Sequence, residues 1–467
     1  MGVTTLHPDY IVNLPDVTRT RDSVKGQRTI KSKGKTYLPA DFAESDASRY
    51  AVYKERAYFL GATRQAAKSY SGMVFRKPAD MGEQGLPSQL DEYLYNIDGS
   101  GKSLEQLAKF GFTELEEAGR IGILADYTND QEGLTKLDER LSGARPVLLP
   151  YVFESIVNWK TGTVSGRSML TLVVLRETIE TSADEFDHES EYQYRVLRMN
   201  DQGQYTMQLY DDGSVPKGDE IVVLANGQPL DHIPFYIAGT EDNTPAVDAP
   251  MLLDLANMNI SHYQSTANVE EASYLLGCPT LHIDIGEMGV EEFASANPAG
   301  VKVGARQGLQ TKGGTIEMVQ ASESNLGASQ MENKIERMKE LGAKLVTKGG
   351  QNETAEAARI NASGEASALD IAVNNLSDVL EKALEDFLRF LGVDTEVTYR
   401  LNTEFWESSI DPQVLNGITG LKTMGVISNQ DVRYMIRTKN IGFEEGRTDE
   451  EIDASIADDN SGLTLDS

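Results

Sequence analysis

Three stretches of the chain repeat apolar residues at the spacing of an α-helix. In the longest, Ala362, Ala366, Leu369, Val373, Leu376, Leu380, Ala383, Phe387 and Phe390 alternate steps of four and three, a seam of period 3.5 held over four heptads. The spacing predicts one helix from about Thr354 to Leu391, packed against other helices or buried in the core of its own domain. Its first turns hold Asn352, Asn361 and Gly364 and are too polar to bury, so that end is expected to face water or a lumen. A second helix is predicted from Met251 to Leu276, stopped by Gly277-Cys278-Pro279. A third, Met331 to Ala343, lines up Met331, Ile335, Met338 and Leu341. Between the third and the longest lies "KLVTKGGQNETAEAARI", where Gly349 and Gly350 disfavour helix and imply a short polar loop carrying Lys344 and Lys348.

Elsewhere the period falls to two. "IGILADY" and "VLLPYVFESIVNW" read as strands, and "SMLTLVVLRET", "YQYRVLRM", "YTMQLYD" and "EIVVLANG" form an antiparallel meander with turns at Asn200–Gly203 and Asp211–Gly213. Residues 46–73 read as a capped helix broken near Gly61, and Leu90–Tyr95 and Leu104–Gly119 as two further helices. Glycines at 286, 289, 300, 304, 308, 313 and 314 mark 278–325 as short strands and turns. "EVTYRLNTEF" reads as a strand, followed by a helix pair with Ser428 as the second cap. The first forty residues have little periodicity and are locally basic (Arg19, Arg21, Lys25, Arg28, Lys31, Lys33, Lys35), which predicts an extended arm. From Gly442 onward, nine acids face Arg447 alone, as in a solvated tail.

Charge changes the picture most. The formal net charge of −30 argues against a protein that grips nucleic acid over a broad surface, because such binding replaces phosphate counterions with Lys and Arg. It does not argue against one that lets nucleic acid pass unheld. With one cysteine, Cys278, no internal disulfide is possible, and assembly in a reducing cytoplasm is expected. No basic-then-apolar leader opens the sequence, and no apolar run approaches the roughly 20 residues that span a bilayer.

Candidate chemistry is thin. "DGSGKS", 98–103, ends like a phosphate-binding loop, but the position needing its first glycine holds Asn96, and the preceding "LDEYLYN" is helical rather than strand-like. Ser103 to Gln106 instead forms the S-x-x-Q of a helix capping box. A nucleotide-dependent enzyme built on Gly101, Lys102 and Ser103, with Asp126 as a magnesium-side acid, is the alternative to test. His7, His188, His232, His262 and His282 are dispersed and give no zinc spacing, and no G-x-S-x-G elbow occurs. No cofactor and no enzymatic activity are expected.

In order, the elements are a helix, a β-rich insertion, a helix, a glycine-hinged loop, a very long helix, a strand and a helical pair. That order, together with "NIDGSGKSLEQLAKFGFTELEEAGRIGILADY" and "LLPYVFESIVNW", resembles the portal proteins of tailed bacteriophages. Residues 90–160 are similar to the signature of a portal-like family formerly filed as a domain of unknown function. The resemblance implies an α+β subunit of portal type. Its parts would be an N-terminal arm (1–40), a mixed α/β wing (41–250), a first stem helix (251–277), a small α/β clip (278–325) and a second stem helix (326–343). A tunnel loop (344–352), a long channel-associated helix with a wing strand (353–410) and a helical crown with the acidic tail (411–467) would complete it.

Such subunits form a ring, usually of twelve, at one capsid vertex. The ring is a conduit for double-stranded DNA during packaging and ejection and a platform for terminase and for head–tail adaptor or tail proteins, set among capsid and scaffold proteins. The resemblance thus implies assembly in the host cytoplasm, residence in the virion and no membrane partner. Lys344, Thr347, Lys348, Gly349, Gly350, Gln351 and Asn352 would line the DNA channel, and Lys302, Arg306 and Lys312 would be clip contacts. Another ring of the head–tail junction is a further alternative. Physically, an acidic wall with few lysines keeps a polyanion centred while offering little to hold it. Twelve chains of −30 carry about −360, so ring closure needs extensive packing, which the heptad seam and stem helices are expected to supply.

Overall fold

The computed structural model describes residues 2–82, 85–128, 144–164, 166–181, 186, 188–277, 280–298, 300, 310–319, 326–342 and 355–405, and parts of 419–455. Within 355–367 only the backbone is described. The fold is α+β, in two compact units, residues 1–403 and 404–467.

The first unit begins with helices where an extended arm was expected. α1 (Pro8–Lys25) starts at His7, whose ring accepts the Asp9 N–H, and α2 (Gln27–Ser32) follows Gly26 directly. Tyr10, Val17 and Ile30 are buried. Their spacing is too sparse for a clean stripe, so this helix is held by tertiary contacts, the usual source of helix stability in proteins. α3 (Ala47–Arg56), capped by Asp46, and α4 (Ala62–Val74) leave 57–61 non-helical, in line with the break near Gly61. Leu90–Tyr95 is not a helix: only a 3-10 turn, Ser88–Leu90, and further turns occupy that stretch. α5 (Leu104–Ala118) has the predicted capping box, Ser103 Oγ accepting the Gln106 N–H and Gln106 Oε1 the Ser103 N–H.

β1 (Arg120–Tyr127), β2 (Pro146–Val152) and the later β10 (Phe235–Gly239) make an antiparallel sheet in the order β10-β1-β2. β3 (Ile156–Val164), β4 (Arg167–Glu180), β5 (Ser190–Met199), β6 (Tyr205–Asp211) and β7 (Pro216–Val222) form an antiparallel meander in chain order, with β4 to β7 as expected. "VLLPYVFESIVNW" is not one strand but is broken by a 3-10 turn at Phe153–Ser155, which sends β2 and β3 into different sheets. β8 (Leu224–Ala225) and β9 (Gln228–Pro229) are a short ribbon after it. One core joins the two larger sheets through Tyr151, Phe153, Trp159, Val173, Leu175, Leu197, Phe235 and Ile237. A charged link crosses the same junction. Arg195 on β5 meets Asp126 on β1 at 2.6 Å and Glu177 on β4 at 2.7 Å, and the Tyr151 hydroxyl donates to Glu177. Asp126 is therefore committed to an internal ion pair.

α6 (Leu253–Gly277), α7 (Val290–Ala296), α8 (Leu326–Glu340) and α9 (Ala355–Phe390) complete the unit, with β11 (Thr280–Ile283) paired to β12 (Ile316–Val319) between α6 and α8. α9 packs against β10, β1, β2 and α5. Leu369, Val373, Leu376, Leu380, Ala383 and Phe387 are buried there, with Val379, Leu384 and Leu388 beside them. From Leu369 on, the heptad seam is therefore core of its own subunit and not available to close a ring. A 3.5-residue stripe says that a helix has a partner but not whether that partner is a sheet of the same chain.

Residues 396–405 alternate as a strand should, with Val397, Tyr399 and Leu401 buried, yet they join no sheet beyond a bridge between Asp80 and Arg400. Their amides donate instead to side chains of α9: Val397 N–H to Glu385, Tyr399 N–H to Glu381 and Leu401 N–H to Ser377 Oγ. The acceptors step back along the helix by four residues for every two of extended chain, so a period of two survives without a ladder. In the second unit, Ser428 caps as expected, exchanging hydrogen bonds with Asp431. Residues 451–455 are helical with Ile452 buried, so this part of the acidic segment is packed and not simply a solvated tail.

Candidate functional site

The part of the chain built most like an apparatus is the α6–α8 pair. Lys334 on α8 donates to Ser261 O at 3.0 Å and Ser265 Oγ at 2.7 Å, and Gly327 faces Val269. Higher numbers on one helix meet lower numbers on the other, so the pair is antiparallel. The first half of α6 is cradled by the N-terminal helices. Tyr263, Ala267 and Ile260 join a core with Ile30, Tyr37, Tyr50, Tyr53 and Phe59. Asn259 donates to Leu60 O and Thr63 Oγ1, and the Tyr53 hydroxyl donates to Asn268. Beyond Ala267 the helix emerges: residues 268, 270, 272–274 and 277 are exposed, as is most of α8. α3 follows it outward: Arg49 and Arg56 pair with Glu271 at 3.1 and 3.0 Å and the Arg56 guanidinium lies over the Tyr274 ring, so only about the last turn of α6 extends past the N-terminal helices.

The free end of the pair carries the β11–β12 ribbon and α7. Here the glycines have a steric reason. Gly286 holds φ +61°, and a Cβ on it would lie 2.3 Å from Lys312 O; a Cβ on Gly314 would lie 1.9 Å from Asp284 O. We expect Gly314→Ala to force these backbones apart at a local cost of roughly 1–3 kcal/mol. Limited proteolysis checks this: cleavage within 280–319 should speed up about tenfold while the global melting temperature stays nearly unchanged. Cleavage as slow as wild type would show that the approach is not needed.

Of the residues singled out from sequence, Lys312 lies in this ribbon, exposed, with its carbonyl accepting the Glu287 N–H at 3.1 Å. Lys302 and Arg306 lie outside the described residues, as do Lys344, Thr347, Lys348, Gly349, Gly350, Gln351 and Asn352. The side chain of Asn361, at the polar start of α9, likewise falls outside them.

The loop of the nucleotide alternative is described, and its hydrogen bonds are turned inward. Asp98 Oδ1 accepts the N–H groups of Ser100 and Lys102 at 2.9 and 3.0 Å, Asn96 Oδ1 accepts the Gly101 N–H, and Lys102 Nζ pairs with Asp98 Oδ2 at 3.0 Å. Burial opposes the charge on Asp98, but the bonds from Ser100 and Lys102 outweigh it and hold the carboxyl at about 2. The amides and lysine that would cradle a phosphate thus already surround a carboxylate of the same loop.

Two features had no signal in the sequence. His262 on α6 is buried with neither ring nitrogen hydrogen-bonded, and burial together with the nearby Lys334 keeps its pKa below the ordinary 6.5. The basic N-terminal residues are carried on a folded helical block and not on an arm. Among the described residues, no helix is long and apolar enough to cross a membrane.

A family described as a domain of unknown function (DUF4055) matches residues 251–391. The match thus falls on α6 through α9, whereas the resemblance in the sequence was drawn most specifically from 90–160. No curated protein matches the chain. Among solved structures, it is similar to a chain from the neck of an empty gene transfer agent particle with C6 symmetry, at 12% identity over 82% of this chain and 91% of that one, TM-score 0.42. It is also similar to a chain from the virion of a native gene transfer agent particle, at 11% identity over 89% and 99%, TM-score 0.41. A chain from the neck of the native particle with C12 symmetry gives 12% identity over 85% and 94%, TM-score 0.39.

Proposed function

We propose that this chain is a portal-type subunit of a phage-like particle, a non-enzymatic component that assembles into a ring, with twelve copies the expected number. The ring sits in the virion at the capsid vertex, passes double-stranded DNA without sequence preference, and offers its outer end to terminase and to adaptor or tail proteins. One observation carries the reading: an antiparallel helix pair, braced by α3 along one side and exposed along much of its outer half, bears a small ribbon at its far end and is joined through 344–352 to a 36-residue helix. In this reading α6 and α8 are the stem, 278–325 the clip, 344–352 the tunnel loop and 411–467 the crown. The wing combines the two larger sheets with α9. The matched family stretch, 251–391, spans the stem, clip, loop and long helix together.

The function requires weak contact with DNA, and the chain's charge of −30 supplies it. Lys344 and Lys348 would be the few cations near phosphate, and Gly349 and Gly350 the hinge that lets the loop follow the helix of a moving duplex. Two measurements test this. Axial class averages of the purified chain should show a closed ring, and a compact monomer at every concentration would end the proposal. Replacing Gly349 and Gly350 together by alanine should leave the ring intact and lower the yield of DNA-filled particles at least tenfold. Full packaging in that variant would remove the hinge from the mechanism.

A further inference from the structure

The charge of this chain is divided unevenly. Residues 19–77 hold fourteen Lys and Arg against five Asp and Glu, a net +9 in a protein of −30. Residues 188–248 hold three against eleven, a net −8. Both segments are folded, on α1–α4 and on β5–β10 respectively.

On the basic side several elements meet in one patch. Arg64 of α4 donates through Nε to Val24 O at 2.7 Å and through Nη2 to Lys25 O, fixing the end of α1 against α4. Gln27 Oε1 accepts the Phe59 N–H, which brings 58–59 beside the α1–α2 turn. Lys25, Arg28, Arg64 and Lys68 are exposed here, and among the described residues no carboxylate forms an ion pair with Lys25, Arg28 or Lys68. Tyr58, next to Phe59, is 56% exposed. Arginine and tyrosine over a rigid base are what protein–protein contacts favour. A phosphate backbone would use the cations but not the tyrosine.

On the acidic side, β7 is the outer strand of the five-stranded sheet and is exposed along its whole length. It carries Asp219 and Glu220 beside one cation, Lys217, and Asp212 lies in the turn that leads into it. Glu220 accepts the Thr206 hydroxyl and Asp212 that of Tyr194, which leaves Asp219 without a side-chain partner among the described residues. Exposed apolar residues flank these acids: Val215 at 58%, Leu224 at 52%, and Ile221 and Val222. An exposed edge with apolar side chains is a surface that proteins normally cover.

We infer that the basic α1–α4 patch of one copy docks on the acidic β7 edge of the next. This rests on the ring reading and gives the ring its head-to-tail contact. In a cyclic assembly each interface joins two different faces of the subunit, so opposite charges on those faces attract even though whole subunits repel. The pairing also fixes polarity, since like patches cannot meet.

Charge exchange in the full chain tests it. Lys25→Glu/Arg28→Glu/Lys68→Glu on one side and Asp212→Lys/Asp219→Lys on the other are exposed changes, checked for retained fold by circular dichroism. Native mass spectrometry at low salt should find at least a tenfold loss of ring in each variant and recovery when all five substitutions are combined. Raising salt should dissociate wild-type rings in the same direction. Rings unaffected by either set, or losses that the combination does not repair, overturn the pairing. A basic-side variant that keeps its ring but loses binding to a short duplex by fluorescence anisotropy makes the patch a nucleic-acid surface and also overturns it. A wild-type chain that stays monomeric fails the ring reading itself, and this contact with it.

Discussion

Leu376→Ala is expected to lower the unfolding free energy of the isolated subunit by about 3 kcal/mol, within the roughly 2–5 kcal/mol typical of buried Leu-to-Ala changes. Leu376 is fully buried at the centre of α9, and its Cδ1 reaches α5 where Gly111 leaves room: a Cβ on Gly111 would lie 3.0 Å from it. The sheet and α5 hold the helix on fixed backbones, so the space left by the lost side chain cannot collapse fully. Urea denaturation followed at two protein concentrations is the check. A lower midpoint with an unchanged slope, independent of concentration, assigns the residue to the subunit core. Loss of a ring without loss of subunit stability would return the seam to an interface between copies and contradict its placement here.

That contrast shows where the sequence was legible. Long periodic segments came through: α6, α8 and α9 lie close to where the 3.5–3.6 period placed them, and the meander follows its alternation. Local chemistry with its own geometry was also readable, as at the Ser103 and Ser428 caps. What failed depended on partners distant in sequence. The first forty residues lack a stripe because α1 is held at scattered points: Tyr10 stacks on Phe153, and the Tyr37 hydroxyl donates to Asp22. The alternation at 396–405 was real, but its acceptors sit on a helix. The candidate site divides in the same way. The helix pair was legible, whereas its tie through Lys334 to Ser261 and Ser265 was not, because a lysine on an exposed face carries no mark of its acceptor.

Arg21→Ala is the second large effect expected, and it tests whether the N-terminal helix is structure or appendage. Arg21 sits among three carboxylates, at 2.6 Å from Glu114, 3.3 Å from Glu117 and 2.7 Å from Glu154, so α1 is bound through one cation to α5 and to the turn before β3. Burial raises the pKa of Glu114 and of Glu117 above the ordinary 4.5, although Arg21 pulls both down. Acids raised in the folded state favour it when protonated, and that contribution is lost as the pH climbs through their folded pKa. Removing Arg21 leaves these anions facing one another without compensation, and breaking a buried pair in this way costs about 3–5 kcal/mol near neutral pH. The variant's deficit should shrink as the pH falls toward the ordinary carboxylate range, because protonated glutamates no longer need the guanidinium. Thermal melts of wild type and variant from neutral pH down to about pH 4.5, the lower end of that window, read the difference directly. An arm loosely attached to the body would instead leave both curves superimposed at every pH, since losing its contacts would not touch the unfolding of the sheets and α9.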